Sequence, residues 1–278
     1  MIKNIIIPVD FSDQTLQTIQ KAKNLLTDNG GTIHLIHALQ TQLFYSDMFY
    51  DGEILQINSH ELRKTVETNI QKIIDTYQSD KVDFILHIEI GTIIENIQEY
   101  IDEQKNIDLV LLGTEGKHGI EELLLGSNTQ RIVRFIENAP VLVIKNNEEE
   151  IHLNKILIVS SFNKDDKFDM NKYVNLFDIH TSFDLLKVIT PQHFETTNES
   201  NEKLDAFEES FNGDIRNKTI YNYRNIEDGI ESYLNHHPEV NMVVLPTHGR
   251  KGLSRFYHGS LTELVVNHLP IPVFTFKL

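Results

Sequence analysis

The chain has 278 residues, 40% of them hydrophobic and 24% charged, enough to bury one large core or two cores of ordinary domain size. It has no cysteine, which excludes disulfides, thiolate metal sites and cysteine nucleophiles and fits a reducing cytosol. A formal charge of −16 argues against a general nucleic-acid or anionic-membrane partner, because the mean field repels polyphosphate, but it leaves room for a small anion held locally.

The opening "MIKNIIIPVDFSD" has too short an apolar window for a signal peptide, and no run approaches the ~20 apolar residues of a membrane span. The expectation is a cytoplasmic protein without a membrane partner. Residues 3–9 read as a buried strand and 12–28 as a helix opened by Ser12, whose hydroxyl can accept from a free first-turn N–H. A strand at 32–39 and a long helix around 56–79 follow. Between them, residues 40–57 crowd Leu43, Phe44, Tyr45, Met48, Phe49 and Tyr50 together. That segment reads as a lid or partner surface, or as a loop whose aromatics pack on their own domain. "VDFILHIEI" is a strand of period two, Gly91 punctuates, and 92–105 is a helix with apolar Ile93, Ile94, Ile97 and Ile101. "DLVLLGT" is a buried strand, 127–138 a helix and 140–145 a final strand.

The chain then repeats itself. A constant offset of 133 takes Gly116 to Gly249, Gly119 to Gly252, Gly126 to Gly259, Ser127 to Ser260 and Thr129 to Thr262. Each half opens with a β-rich run, "KNIIIPVDFS" and "NKILIVSSFN", and closes with an apolar strand after proline, "APVLVIK" and "IPVFTFKL". The opening runs lie 151 apart, so the first half carries extra residues, placed at 40–57. With the acidic "KNNEEEIHL" as linker, the predicted domains are 1–147 and 152–278. The second half repeats the element pattern, with a poorly patterned first helix at 164–178. Alternating β and α predicts an α/β fold of two doubly wound parallel five-stranded sheets.

In such a sheet, ligands bind beyond the carboxyl ends of the strands where the winding reverses. If the strand order is 3-2-1-4-5, Asp10 after the first strand and the glycine loop 113–126 after the fourth share one crevice. Gly113 and Gly116 let backbone approach a ligand, and Gly126-Ser127 opens a helix whose free N–H groups and positive dipole end suit phosphate. Ser127 and Thr129 add hydroxyls. The loop has neither the Walker nor the GxGxxG spacing, and a tight turn capped by serine would show the same residues.

Gly-x-x-Gly-x9-Gly-Ser, here Gly113, Gly116, Gly126 and Ser127, resembles the ATP-binding signature of the universal stress proteins. The likeness extends to "IIIPVDFS", "GTIIENIQEY" and "APVLVIK" and covers almost the whole chain twice, so the sequence looks like a tandem universal stress protein. The resemblance implies the 3-2-1-4-5, flavodoxin- or Rossmann-like order, ATP or AMP as ligand with Mg2+ reaching it through the phosphates, and pairing through the last strands. Carried over by position, Pro8, Asp10, Ala38, Leu112 and Gly113 would meet adenine and ribose. Gly116, Gly126, Ser127, Asn128 and Thr129 would meet the phosphates. Asp10 also has a simpler reading, as an acid at a helix entry.

The second half departs from the pattern: Ser161 stands where Asp10 does, and Pro246 replaces Gly113. A second site would draw on Pro246, Gly249, Arg250, Gly259, Ser260, Leu261 and Thr262. Arg250, Lys251 and Arg255 give its loop a positive charge, where Lys117 in the first loop faces Glu115, Glu121 and Glu122. Backbone donors and Asp10 specify a nucleotide more than loose charge does, so the first site ranks ahead. His34 and His37, three apart in a strand, face opposite sides and cannot share a metal. His236-His237 before Pro238 reads as a helix end, and His248 and His258 lie in the second glycine loop as solvated imidazoles or phosphate contacts. No metal site, catalytic triad or paired-carboxylate arrangement can be placed.

The expectation is a stress-response regulatory protein that binds an adenine nucleotide, with an unidentified protein partner. The alternatives are a nucleotide-free interaction protein of the same fold and a slow ATPase. The strands 140–145 and 271–276 are expected to meet across an intrachain pseudo-twofold axis, leaving open whether two chains associate further.

Overall fold

Runs of isoleucine, valine and leucine fix the strands, because a strand covered by helices on both faces must be apolar on both. In the first of them, β1 (Asn4–Pro8), Ile5, Ile6 and Ile7 are all buried. The computed structural model describes residues 1–26, 28–39, 52–114, 127–145, 150–163, 170–247 and 268–278, and for 52–59 and 127 the backbone path alone. After β1 come α1 (Asp13–Leu26), β2 (Gly31–Leu39), α2 (Gly52–Tyr77), β3 (Val82–Ile90), α3 (Ile93–Gln104), β4 (Leu109–Thr114), α4 (Ser127–Phe135) and β5 (Val141–Lys145). The second half contributes β6 (Lys155–Val159), α5 (Asn171–Val174), β7 (Ser182–Ile189), α6 (Thr197–Ser210), β8 (Asp214–Asn222), α7 (Ile226–His236), β9 (Met242–Val244) and β10 (Val273–Thr275).

Among the described residues ten strands lie in one sheet of order β3-β2-β1-β4-β5-β10-β9-β6-β7-β8. Each half keeps the expected 3-2-1-4-5 order with parallel pairing throughout. The halves join where β5 and β10 pair antiparallel, Val143 opposite Val273, Leu142 opposite Phe274 and Val141 opposite Thr275. The two expected sheets are therefore continuous, and the order reads the same from either end. Lys277, just past β10, reaches over the joint and donates from Nζ to the carbonyl of Arg134 at 2.7 Å, in the last turn of α4. A cation there also complements the negative end of the helix.

A hydrophobic layer covers each face. Ile5, Ile7, Ile19 and Leu35 pack on one face with Ile156 and Phe274. Ile6, Ile36, Val110 and Val133 pack on the other with Leu157 and Val243. Helix entries are written locally: the Ser12 hydroxyl accepts from the backbone N–H of Thr15 at 3.3 Å, and Thr92 and Thr196 form capping boxes with Glu95 and Glu199.

Two expectations change. The helix placed around 56–79 begins at Gly52, so the end of the 40–57 segment is helical; residues 40–51, with the aromatic cluster, lie outside the described residues. The helix expected at 164–178 is, among the described residues, the single turn of α5. Its apolar residues Tyr173 and Phe177 set ring against ring with Phe274, at 5.7 and 5.6 Å between centroids, instead of lining one helical stripe.

Phe274 is buried at the centre of this joint and touches both the pairing strand and the rings of Tyr173 and Phe177. Phe274→Ala is expected to cost about 3–5 kcal/mol, read as a lowered urea midpoint with both halves unfolding earlier. An unchanged midpoint would show that the joint does not hold the halves together.

Candidate functional site

Because β1 pairs with both β2 and β4, the winding reverses beside it, and the carboxyl ends of β1 and β4 lie next to each other. A cavity of about 630 Å³ opens there, within the size range of small-molecule sites. Pro8 and Asp10 enter it from the end of β1, Ala38 from β2, Leu112 and Gly113 from β4, and Asn128 and Thr129 from the first turn of α4. Seven residues expected to share a crevice thus line one cavity. Ser127 opens α4, while Gly116 and Gly126 lie outside the described residues. So do the acids Glu115, Glu121 and Glu122 and their neighbour Lys117.

Asp10 is held by its own helix entry. Its Oδ1 accepts hydrogen bonds from the Ser12 N–H at 3.0 Å, the Ser12 hydroxyl at 2.6 Å and the Thr15 hydroxyl at 2.6 Å. Burial opposes its charge, but these donors outweigh burial and hold the carboxyl below the usual range. The turn that does this puts Phe11 at φ 61°, a left-handed conformation that costs a non-glycine residue about 1–2 kcal/mol. Phe162, the corresponding residue of the second half, repeats it at φ 53°. The helix-entry role of Asp10 and its place on the cavity wall are therefore compatible.

Sequence reasoning missed part of the wall. Leu62 and Val66 of α2, Ile93 of α3 and Ile132 of α4 make it apolar, and Thr15, Thr18 and His37 add polar groups. His37 Nδ1 lies 2.7 Å from the carbonyl of Val9, which can only accept, so Nδ1 carries the hydrogen and Nε2 of the neutral ring is an acceptor. The available signal for Thr15 and Thr18 was their helical spacing to Ile19 and Ala22 on the buried face of α1. Nothing local marked His37, whose value comes from the β1–β2 register.

His34 does face away from His37, as the strand period requires. It is buried, with Nδ1 2.8 Å from the Tyr100 hydroxyl and Nε2 3.3 Å from Asn4 Oδ1. Burial lowers its pKa from 6.5 to about 4. At the matching register position of the second half stands Asp184, fully buried. It accepts from Lys155 Nζ at 2.6 Å, Asn217 Nδ2 at 3.0 Å and the Tyr233 hydroxyl at 3.0 Å. Asp184, His237 and Glu239 could bring ligand atoms within 4.8 Å of one another, but both Asp184 oxygens are committed and the ammonium of Lys155 supplies the positive charge. His236 ends α7 and His237 caps it, as expected.

The second site is not brought into view. Pro246 follows β9, whereas Gly249, Arg250, Gly259, Ser260, Leu261 and Thr262 lie outside the described residues, as do Lys251, Arg255, His248 and His258.

Fold and crevice together define a duplicated Rossmann-like α/β protein with a small-molecule cavity at the switch point of its first domain. The universal stress protein family model matches residues 1–145 and 179–277, and the chain belongs to this family, with two such domains in succession. A universal stress protein of Methanocaldococcus jannaschii is 28% identical over 150 residues, 53% of this chain and 85% of that protein. Universal stress protein A homolog 1 of Coxiella burnetii is 26% identical over 132 residues, 47% of this chain and 88% of that one. The crystal structure of a universal stress protein from Archaeoglobus fulgidus shares the fold over 99% of this chain and 98% of its own, with a TM-score of 0.70 at 17% identity. No helix among the described residues is long and apolar enough to cross a membrane.

His34 makes the first domain sensitive to acid. Its pKa is depressed in the folded state, so between pH 6.5 and about 4 the unfolded chain binds the extra proton and stability rises with pH. The expected loss on acidification through that window is at most about 3 kcal/mol. Histidine NMR signals should show His34 still neutral at pH 5.5; a midpoint near 6.5 would contradict its burial.

Proposed function

We propose that this chain is a stress-response regulatory protein that binds an adenine nucleotide, ATP or AMP, in the crevice of its first domain. The observation that carries the proposal is the convergence of Pro8, Asp10, Ala38, Leu112, Gly113, Asn128 and Thr129 on one cavity of about 630 Å³. Its chemistry suits such a ligand at both ends. Leu62, Val66, Ile93 and Leu112 offer apolar walls to a base. Asp10 keeps Oδ1 engaged in the α1 entry, and its carboxylate stands at the wall to accept from ribose or base edges. At the other end, the first turn of α4 presents Asn128 and Thr129 with N–H groups that have no partner within the helix, the arrangement that favours phosphate. Mg2+ would be carried by the phosphates.

Regulation rather than catalysis is the role these groups support. Among the described residues the lining has one carboxylate, engaged as a cap, and an imidazole tied to a backbone carbonyl. Efficient hydrolysis needs a base positioned on the attacking water.

Calorimetry with ATP, ADP and AMP tests the reading, supported by mass spectrometry of nucleotide carried through purification. Binding is expected, and Ala38→Phe, which fills the cavity without touching the Asp10 hydrogen bonds, should weaken it at least about tenfold, 1.4 kcal/mol. No heat at millimolar nucleotide with folded protein would leave an interaction protein of the same fold. Turnover that survives in Ala38→Phe would remove this crevice as its origin.

A further inference from the structure

The two domains keep the same register, so described residues beside the second crevice can be matched to those of the first. Pro8 pairs with Ile36 in the first domain and Val159 with Leu186 in the second, so Lys187 holds the place of His37. Ser161 holds that of Asp10. His37 and Asp10 both line the first cavity. In the second domain Lys187 is 3% exposed, and its ammonium donates to the carbonyl of Ser161. It also pairs with Glu195 at 3.2 Å.

Glu195 belongs to the connection between β7 and α6. It binds Lys203 Nζ at 2.6 Å and accepts from the Ser200 hydroxyl at 3.4 Å. Ser200 is buried one turn ahead of buried Leu204 on α6, as the cavity-lining Val66 is one turn ahead of buried Ile70 on α2. The cluster therefore ties the carboxyl ends of β6 and β7 to α6 across positions that in the first domain surround open space. Burial disfavours charge on Glu195, yet Lys203 and Lys187 hold its carboxyl below the ordinary range. Among the described residues the cluster sets two ammonium groups against one carboxylate.

We propose that the second crevice is an anion site filled by the chain's own Glu195, whose carboxylate stands between Lys187 and Lys203 where an anionic ligand group would sit. The wild-type chain then carries a single nucleotide site, and the second domain takes up a small anion only when Glu195 is displaced. The count of one nucleotide rests on the reading of the first crevice, whereas the masked anion site does not.

Inorganic phosphate is the probe. Titration calorimetry at constant ionic strength should find no phosphate site of this kind in the wild type. Glu195→Ala should bind phosphate at least about tenfold more tightly, and the added substitution Lys203→Met should abolish the gain. Glu195→Gln, which keeps the shape and the Ser200 hydrogen bond, should move the same way and serves if the alanine variant does not fold. Equal phosphate binding by the wild type and both variants would overturn the proposal. So would two nucleotides per wild-type chain, one of them lost in Lys187→Met. A wild type that binds no nucleotide, beside a Glu195→Ala variant that gains phosphate, would sink the first-crevice reading and leave this one standing.

Discussion

The antiparallel pairing of β5 with β10 is the contact on which the rest of the structure depends. Each domain alone would end its sheet in a short apolar strand, Val141–Lys145 or Val273–Thr275, with backbone N–H and C=O groups open to water or to another chain. Joining the two edges satisfies both at once. It also carries each hydrophobic layer through both domains, so that Ile156 and Phe274 share a cluster with Ile5, and Leu157 and Val243 share one with Ile6. Since strands within a domain are parallel and the joint is antiparallel, the carboxyl ends of the two halves point opposite ways. The switch points of the two domains therefore lie at opposite ends of the strands.

Within that frame the halves share geometry and differ in chemistry. The left-handed turn at Phe11 recurs at Phe162, which keeps the first strand-to-helix connection equally tight in both. Beneath it, the neutral trio of Asn4, His34 and Tyr100 has become Lys155, Asp184 and Tyr233, an ion pair in place of an imidazole. A buried pair of that kind contributes little net stability but is costly to break, because either partner alone is an uncompensated charge. Around the crevice the same exchange is more consequential. His37 in the first half leaves a cavity beside it, whereas Lys187 in the second recruits Glu195 and Lys203. One scaffold thus presents a cavity with a capped aspartate in one domain and an ion cluster in the other.

Local rules made most of the fold legible. The apolar runs, Ser12 at a helix entry and the 133-residue echo of Gly116, Gly126, Ser127 and Thr129 were enough to infer two doubly wound domains, and the family resemblance implied their strand order. They also placed Asp10 with Leu112, Gly113 and Thr129, because strand ends and helix starts sit at fixed positions once that order is known. Less legible were the segments whose conformation is set by packing. The 164–178 segment has no helical stripe, and Tyr173 and Phe177 settle on Phe274 from the far end of the chain. The start of α2, at Gly52, lies four residues before its expected position.

What the sequence determined by itself was whatever repeats or has a period: the two domains, their alternating elements and the residues that mark one crevice. Only the tertiary structure decided which contacts those residues make. Asp10 carries a carboxylate in any reading, but that three donors meet on one of its oxygens follows from the turn through Phe11. Lys187, Glu195 and Lys203 are ordinary surface types in the sequence. They become a cluster around buried Lys187 because β7 and α6 pack together, and the interaction of charges depends on distance and burial, neither of which is written in the order of residues.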